Sequence, residues 1–496
     1  MDENIEIEIS ETNRGKEQII INKKYKYNFS KLRKDNSRKY RCTEYKTLNQ
    51  CKSFIVLNDN KEILEYESLH NHFGKEFDVS ISLTKHKMKE EIRKSSIPFD
   101  VKRRRIYNEI SQEMGFICPQ YNSIKSQISR SINKQLPPEI KSFDEIPDES
   151  EFYKTVEGEN FMIFKNHDLI IFQSPFQAKL FIEYKENIFA DGTFYIAPIF
   201  SYQVFITRTY IEKLNCFYTT SFSILRNKEQ GTYEKLFEEI KKNISNYSND
   251  ESMTLNFHCN SNNNKNDKKS MTLKFHCDFE IAISNAAKNI FPDINIKYCI
   301  WHYKRSLEVK KNELCRLEVK QNKKIKDYYI FISNFPFIYP EYLKVIFEKI
   351  ESDCTEHKHD QFLKFLEYFE YNYLKIYKPK YWNYYNNIEH ITNNASESYN
   401  NYLNNLFEKK PSFYKLIYTL KKEESLSYKD YERRSDGIWE KKPKKTGRTD
   451  QINTFVKLYK NMETFYELNG YKDDDFIELW INCLKDLKHK FNKITE

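Results

Sequence analysis

Glycine is scarce in this chain, with nine among 496 residues, beside 37 Tyr and 37 Phe. The bias towards Lys, Asn and Tyr reads as an AT-rich coding sequence as much as selection on the protein, so no single Lys or Asn carries an argument alone. No run of about 18 apolar residues occurs, which excludes a helical membrane span. Residues 1–11 carry Asp2, Glu3, Glu6 and Glu8 and lack the basic start and apolar stretch of a signal peptide. A reducing compartment is therefore expected. There the ten cysteines, irregularly spaced, read as thiols or metal ligands and not as a disulfide frame. Residues 252–259 (SMTLNFHC) and 270–277 (SMTLKFHC) repeat at an offset of 18. Two short copies exclude a solenoid and point to duplication within a loop.

Single hydrophobic cores stop growing at roughly 250 to 300 residues, so about two to four domains are expected. The formal charge is +9, and its distribution is uneven: residues 13–75 hold 15 Lys and Arg against seven Asp and Glu. A concentrated positive field suits a polyanion partner, because each neutralised phosphate releases counterions. A solvated basic face without a partner is the plainer alternative. Lys441, Lys442, Pro443, Lys444 and Lys445 form a short basic run that fits a nuclear address.

Periodicity organises the chain as α/β plus helical. An acidic tail (1–15) precedes a small basic sheet (16–75), with strand-like runs at 19–21, 25–29, 53–57 and 63–66. Residues 76–140 turn helical, with basic stretches at 102–105 and 125–134 that fit a helix-turn-helix or an ordinary helical linker domain. Residues 141–185 read as linker and lead-in strands. Strands at 188–194, 203–209 and 217–225, a helix at 232–244, a strand at 271–277, a helix at 280–289 and a strand at 296–300 build an α/β core over 186–302. A helical insertion (303–380), a short segment (381–410) and a helical C-terminal region (411–496) complete it.

Within the basic sheet, Cys42, Cys51, His70 and His72 stand as C-x8-C-x18-H-x-H. Four borderline-soft ligands are what a closed tetrahedral zinc site takes, and so small a sheet needs such a staple. Both His are expected at a strand end. Tyr25 and Tyr27, the step Tyr40-Arg41-Cys42, then Cys51 and His70-Asn71-His72 resemble the FLYWCH zinc finger, with Tyr40 where that family has tryptophan. The resemblance implies structural Zn2+ and sequence-directed DNA contact by the sheet face, or occasionally protein contact. Lys24, Lys26, Arg38, Lys39 and Arg41 are the candidate DNA-contacting residues.

Asp191 opens Asp-Gly-Thr-Phe at a strand end, and Asp278 closes a strand before a helix. Two carboxylates at adjacent strand ends can hold divalent metals about 3.5 to 4 Å apart for phosphodiester chemistry. Helix caps or turn acids are the plainer reading. Four elements in order resemble the Mutator-like (MULE) transposases: Asp191 in DGTF, Asp278 in FHCDFEIAISNA, Cys299 and His302 in CIWH, and Glu397 in TNNASESYN, with Pro379 and Trp382 upstream. The resemblance implies a ribonuclease H-like core split by a helical insertion, with Asp191, Asp278 and Glu397 binding Mg2+ or Mn2+. Thr392 is expected to cap the helix of Glu397, and Asn393, Asn394 and Asn400 to orient its carboxylate. Cys299 and His302, only two ligands, are expected to support the core near the metals.

The combined expectation is a nuclear DNA transposase acting on double-stranded DNA as a homodimer, with no membrane and no small-molecule substrate. A domesticated DNA-binding regulator is the alternative, and a protein-interaction zinc sheet the third.

Overall fold

The computed structural model describes residues 5–12, 14–94, 103–133, 136–247, 273–443 and 447–491. The chain divides into two compact units, Met1–Pro138 and Glu139–Glu496. The first SMTLNFHC copy, the start of the second, and Lys444 and Lys445 lie outside the described residues. Among those described, no helix is long and apolar enough to cross a membrane.

The first unit is an antiparallel meander of six strands: β1 (Ile7–Glu11), β2 (Glu17–Ile21), β3 (Tyr25–Leu32), β4 (Arg38–Cys42), β5 (Phe54–Leu57) and β6 (Ile63–Glu67). Successive side chains of a strand point to opposite faces, and β2 shows the consequence. Ile19 and Ile21 join Tyr27, Tyr40, Cys42, Cys51, Ile55 and Leu57 in one core. Ile20 joins a second core built by α1 (Glu76–Lys94), α2 (Arg103–Met114) and α3 (Tyr121–Asn133). The run of three isoleucines is thus a strand buried on both faces.

Two boundaries move as a result. Residues 7–11 are not part of an acidic tail: β1 pairs with β2 from Ile7↔Ile21 to Glu11↔Glu17. Nor do the helices after residue 76 form a separate linker domain, because α1–α3 share the core of Ile20. A hydrophobic pattern gives each element its buried face but not the element that covers it.

The second unit carries a seven-stranded sheet in the order β13-β12-β9-β10-β11-β8-β7. Its strands are β7 (Met162–Lys165), β8 (Leu169–Phe172), β9 (Ile188–Thr193), β10 (Gln203–Ile211), β11 (Cys216–Leu225), β12 (Lys274–Cys277) and β13 (Asn295–Tyr298). β9, β10 and β11 pair antiparallel, whereas β12 pairs parallel with both β9 and β13. Within residues 141–185 the expected lead-in strands are present as β7 and β8, which extend this sheet. The same residues also hold α4 (Pro175–Glu183), entered through a capping box in which Ser174 accepts from the Gln177 amide. The spacing S-x-x-Q with Pro at the first helical position announces such a start.

Ile188 and Ala190 of β9 face a large core with α5 (Gln230–Ser245) and α6 (Ile281–Ile290). The intervening residues Phe189, Asp191 and Thr193 face the other way. The expected strand over 296–300 stops at Tyr298, because Cys299 is the N-cap of α7 (Ile300–Leu314). From α7 the chain is helical through α8 (Arg316–Gln321), α9 (Lys323–Asn334), α10 (Pro340–Glu356) and α11 (Asp360–Phe369) before it returns to the sheet with α12 (Asn394–Leu406). α13 (Phe413–Ser435), α14 (Arg448–Leu468) and α15 (Asp473–Phe491) follow. Trp480, Leu484 and Val456 share one core with Phe331 and Phe347 of the insertion, so residues 303–380 and 411–496 are not independent.

Candidate functional site

The first candidate site sits on the sheet of the first unit. Cys42 ends β4, Cys51 lies in the loop before β5, and His70 and His72 follow β6. The histidines stand in a loop, not at a strand end, because β6 stops at Glu67. The ligand atoms of all four lie within 4.8 Å of one another. Cys42 Sγ is 3.3 Å from His72 Nε2, Cys51 Sγ is 3.4 Å from His70 Nδ1, and the two ring nitrogens are 3.2 Å apart. A tetrahedral zinc ion with bonds of about 2.0 to 2.3 Å holds its ligand atoms roughly 3.3 to 3.8 Å apart. The donor set fits that ion in number, type and spacing.

The surroundings prepare these donors. His70 turns Nδ1 to the cluster while its Nε2 lies 2.7 Å from the Tyr27 hydroxyl, and Tyr25 stacks on the ring at 3.6 Å. A hydrogen-bonding partner on the far ring nitrogen fixes which nitrogen faces a metal. Burial, with the neighbouring His72, lowers the His70 pKa to about 4, so the imidazole is neutral at pH 7. Burial pushes the Cys42 thiol up to about 12, with Cys51 adding to it. A thiolate here therefore needs a cation beside it.

The expected DNA-contacting residues separate. Lys39 and Arg41 project from β4 on the face away from Tyr40, with Lys39 Nζ 3.3 Å above the Phe54 ring and Arg41 over Tyr45. Burial lowers the Lys39 pKa, and the positive neighbours Arg33, Arg41 and Lys31 lower it further. Cations are thus gathered there. Lys24 and Arg38 are surface residues near Glu76 and Glu17. Lys26 is not available: its Nζ donates to the Asp78 carbonyl and Ser82 Oγ of α1.

The second candidate site lies where β9 and β12 end. Asp191 Oδ1 accepts from the Gly192 amide at 2.8 Å and Oδ2 from Asn400 Nδ2 at 2.7 Å. Gly192 is required by its neighbour, since a Cβ there would come within 2.3 Å of Gln203 Oε1. Asp278 follows β12. Glu397 occupies the first turn of α12, whose N-cap is Asn393 and not Thr392. The expected asparagines divide their work differently. Asn400 orients Asp191, Asn394 is exposed, and Asn393 donates from its side chain to the Ala190 carbonyl and from its amide to Cys299 Sγ. Asn393 thereby ties the start of α12 to both β9 and the start of α7.

Burial and the Asp278 charge push the Asp191 carboxyl up to about 7, with Glu397 adding to the effect against the Gly192 amide and His302. Burial likewise raises Glu397, which also feels Asp278 and His302. The three carboxylates are near enough to repel one another. Glu397 Oε1 is buried without a hydrogen-bond partner, whereas Asp278 Oδ1 lies 2.9 Å from His302 Nδ1. A buried carboxylate oxygen without a partner, among acids that repel one another, suits a divalent cation. Asp191 opens onto a cleft of about 590 Å³ lined by Glu397, Asn400, Lys409 and Lys410, and onto a smaller one lined by Asp278, Glu280 and Lys228.

The three donors drawn most closely together are Asp278, Cys299 and His302, within 4.8 Å of one another. Burial opposes the His302 charge, but Asp278 and Cys299 hold its pKa up to about 10.

Sequence reasoning missed Arg208, almost wholly buried on β10. Its guanidinium donates to the Ala395 carbonyl at 2.6 Å and the Phe217 carbonyl at 3.1 Å and stacks on Tyr399. It clamps the first turn of α12 to the sheet. A lone arginine amid β-branched and aromatic residues, in QVFITRTYI, is the signal that marks it.

No curated protein matches this chain. The FLYWCH zinc finger domain family matches residues 9–72, which run from within β1 to His72 and hold all four candidate donors. The N-terminal sheet is a FLYWCH zinc finger domain.

Proposed function

We propose that this chain is a nuclear DNA-cleaving and strand-joining enzyme of the Mutator-like transposase kind, whose FLYWCH finger grips double-stranded DNA. The carrying observation is that carboxylates from three distant parts of the chain converge, with Asp191 lining both the cleft of Glu397 and the smaller cleft of Asp278, and Glu397 Oε1 buried without a partner. The sheet order supports a ribonuclease H-like reading: three antiparallel strands, β11, β10 and β9, continue into the parallel β12 and β13.

Asp191, Asp278 and Glu397 would hold Mg2+ or Mn2+, hard cations that prefer oxygen donors. Bound there, two such ions supply an activated nucleophilic oxygen and stabilise the leaving one. Asn400 and the Gly192 amide fix the Asp191 carboxylate, and Asn393 and Arg208 fix the helix that carries Glu397. Lys228, Lys409 and Lys410 place positive charge along the clefts for phosphates. Exposed Phe194, Tyr195 and Tyr202 offer ring faces to unpaired bases. On the finger, the open face of Lys31, Lys39 and Arg41 meets the duplex backbone. A homodimer would bring two DNA ends together.

The test is cleavage of labelled duplex DNA by the full chain with Mg2+ or Mn2+. Nicking that falls on the order of 10²–10³-fold in both Asp191→Asn and Glu397→Gln, at unchanged zinc content, is the expected result. Equal activity in the variants overturns the catalytic reading. Sequence-selective binding without cleavage by the unaltered chain assigns a regulator instead.

A further inference from the structure

We infer that Asp278, Cys299 and His302 form a second zinc site, distinct from the finger and adjoining the carboxylate cleft. Asp278 Oδ1 and His302 Nδ1 form a 2.9 Å ion pair without an aligned hydrogen bond between them, and both atoms are buried. Two buried donor atoms held face to face without an aligned hydrogen bond suit a cation shared between them, with a small separation of the pair on binding. Cys299 supplies the third donor, within 4.8 Å of both.

The elements place these donors independently. Asp278 leaves the end of β12, and Cys299 leaves the end of the adjacent parallel strand β13, its amide bonded to the Cys277 carbonyl at 3.0 Å. Cys299 is also the N-cap of α7, and His302 lies in that helix's first turn. A helix N-terminus favours a thiolate. The Asn393 amide, 3.2 Å from Cys299 Sγ, donates to the same sulfur. Cys-x-x-His at a strand-to-helix turn thus turns both side chains to the strand end that presents Asp278.

The donor chemistry selects the metal. Thiolate, imidazole and one carboxylate form a borderline-soft set that suits Zn2+ and not Mg2+ or Ca2+. Three protein ligands leave a fourth position for water or another oxygen. Asp278 also lines the smaller cleft with Asp191. The inference rests on the three donors and not on catalysis. A proton shared between Asp278 and His302 is the competing occupant, and metal content separates the two.

Zinc is counted by elemental analysis on the full chain purified without chelator. Two zinc per chain are expected, falling to one in Cys51→Ser and to one in Cys299→Ser. His302→Asn should behave as Cys299→Ser does. Cys299→Asp, which keeps a ligand, should retain the second ion and serves if the serine variant misfolds. Cobalt loaded into Cys51→Ser should give a thiolate charge-transfer band that vanishes when Cys299→Ser is added. One zinc in the unaltered chain overturns the inference. So does a second zinc that survives Cys299→Ser, or one lost instead with His86→Asn from the Glu11, His86 and Glu90 group. Two zinc with no DNA cleavage would sink only the catalytic reading, whereas cleavage with one zinc would sink only this one.

Discussion

Gly192 and Glu424 show how much single residues determine here. Gly192 lies against Gln203 Oε1, and Gln203 cannot retreat because its Nε2 donates to the Tyr233 hydroxyl in a buried setting. Gly192→Ala should therefore destabilise the second unit by about 1–3 kcal/mol, the usual range for overpacking, read as a lower melting midpoint in calorimetry. Glu424, buried on α13, accepts from Ser174 Oγ at 2.6 Å through one oxygen, while the other has no partner. Burial pushes its pKa up to about 7 from an ordinary 4.5. The folded state then holds a proton that the unfolded chain releases, so stability falls as pH rises from about 4.5 to 7. Glu424→Gln should flatten that slope and raise stability at pH 8 by roughly 1–3 kcal/mol, seen in denaturant melts across pH.

At the scale of elements, α12 is the piece on which the carboxylate site depends. Its own sequence buries only Ser396, Asn400 and Leu403 among its residues. It is held instead by Arg208 at Ala395, Asn393 at Ala190 and Asn400 at Asp191. Arg208→Met keeps much of the buried stem but leaves two carbonyls without their donor, a loss of about 1–3 kcal/mol each at most. Faster amide hydrogen exchange confined to α12 is expected, with zinc content unchanged. Unaltered exchange there would show that Arg208 does not hold the helix. The existence of this helix was legible in TNNASESYN, but its cap was not. Asn393 takes the N-cap position because its side chain and amide are engaged by β9 and Cys299, contacts from residues far away in sequence.

At the scale of the whole molecule, the two units have separate cores, and the finger's depends on its metal. Cys51→Ser removes one ligand from a closed site whose binding free energy is also folding free energy. It should abolish or strongly lower the unfolding transition of the first unit while leaving that of the second within a degree or so, measured by calorimetry of the full chain. A single transition lost in both units together would contradict the division at Pro138.

The sequence by itself picked out the four candidate metal donors, because Cys42, Cys51, His70 and His72 carry their chemistry in their identities and a small sheet gains from a metal staple. It determined most strands and helices too, because the alternation of Tyr25 and Tyr27 and the four-residue spacing of Leu236, Ile240 and Ile244 follow from the geometry of one element. The tertiary structure alone decided what depends on two elements meeting. It placed Ile20 against α1, engaged Lys26 with Asp78 and Ser82, and gave Asn400 to Asp191 instead of Glu397. It set Asp278 beside Cys299 and His302, a third donor that no spacing announces. The physical reason is common to all of these: a hydrogen bond or a metal ligand set is fixed by distances of about 2 to 3 Å. Only the folded chain brings residues 20 or 200 positions apart within that reach.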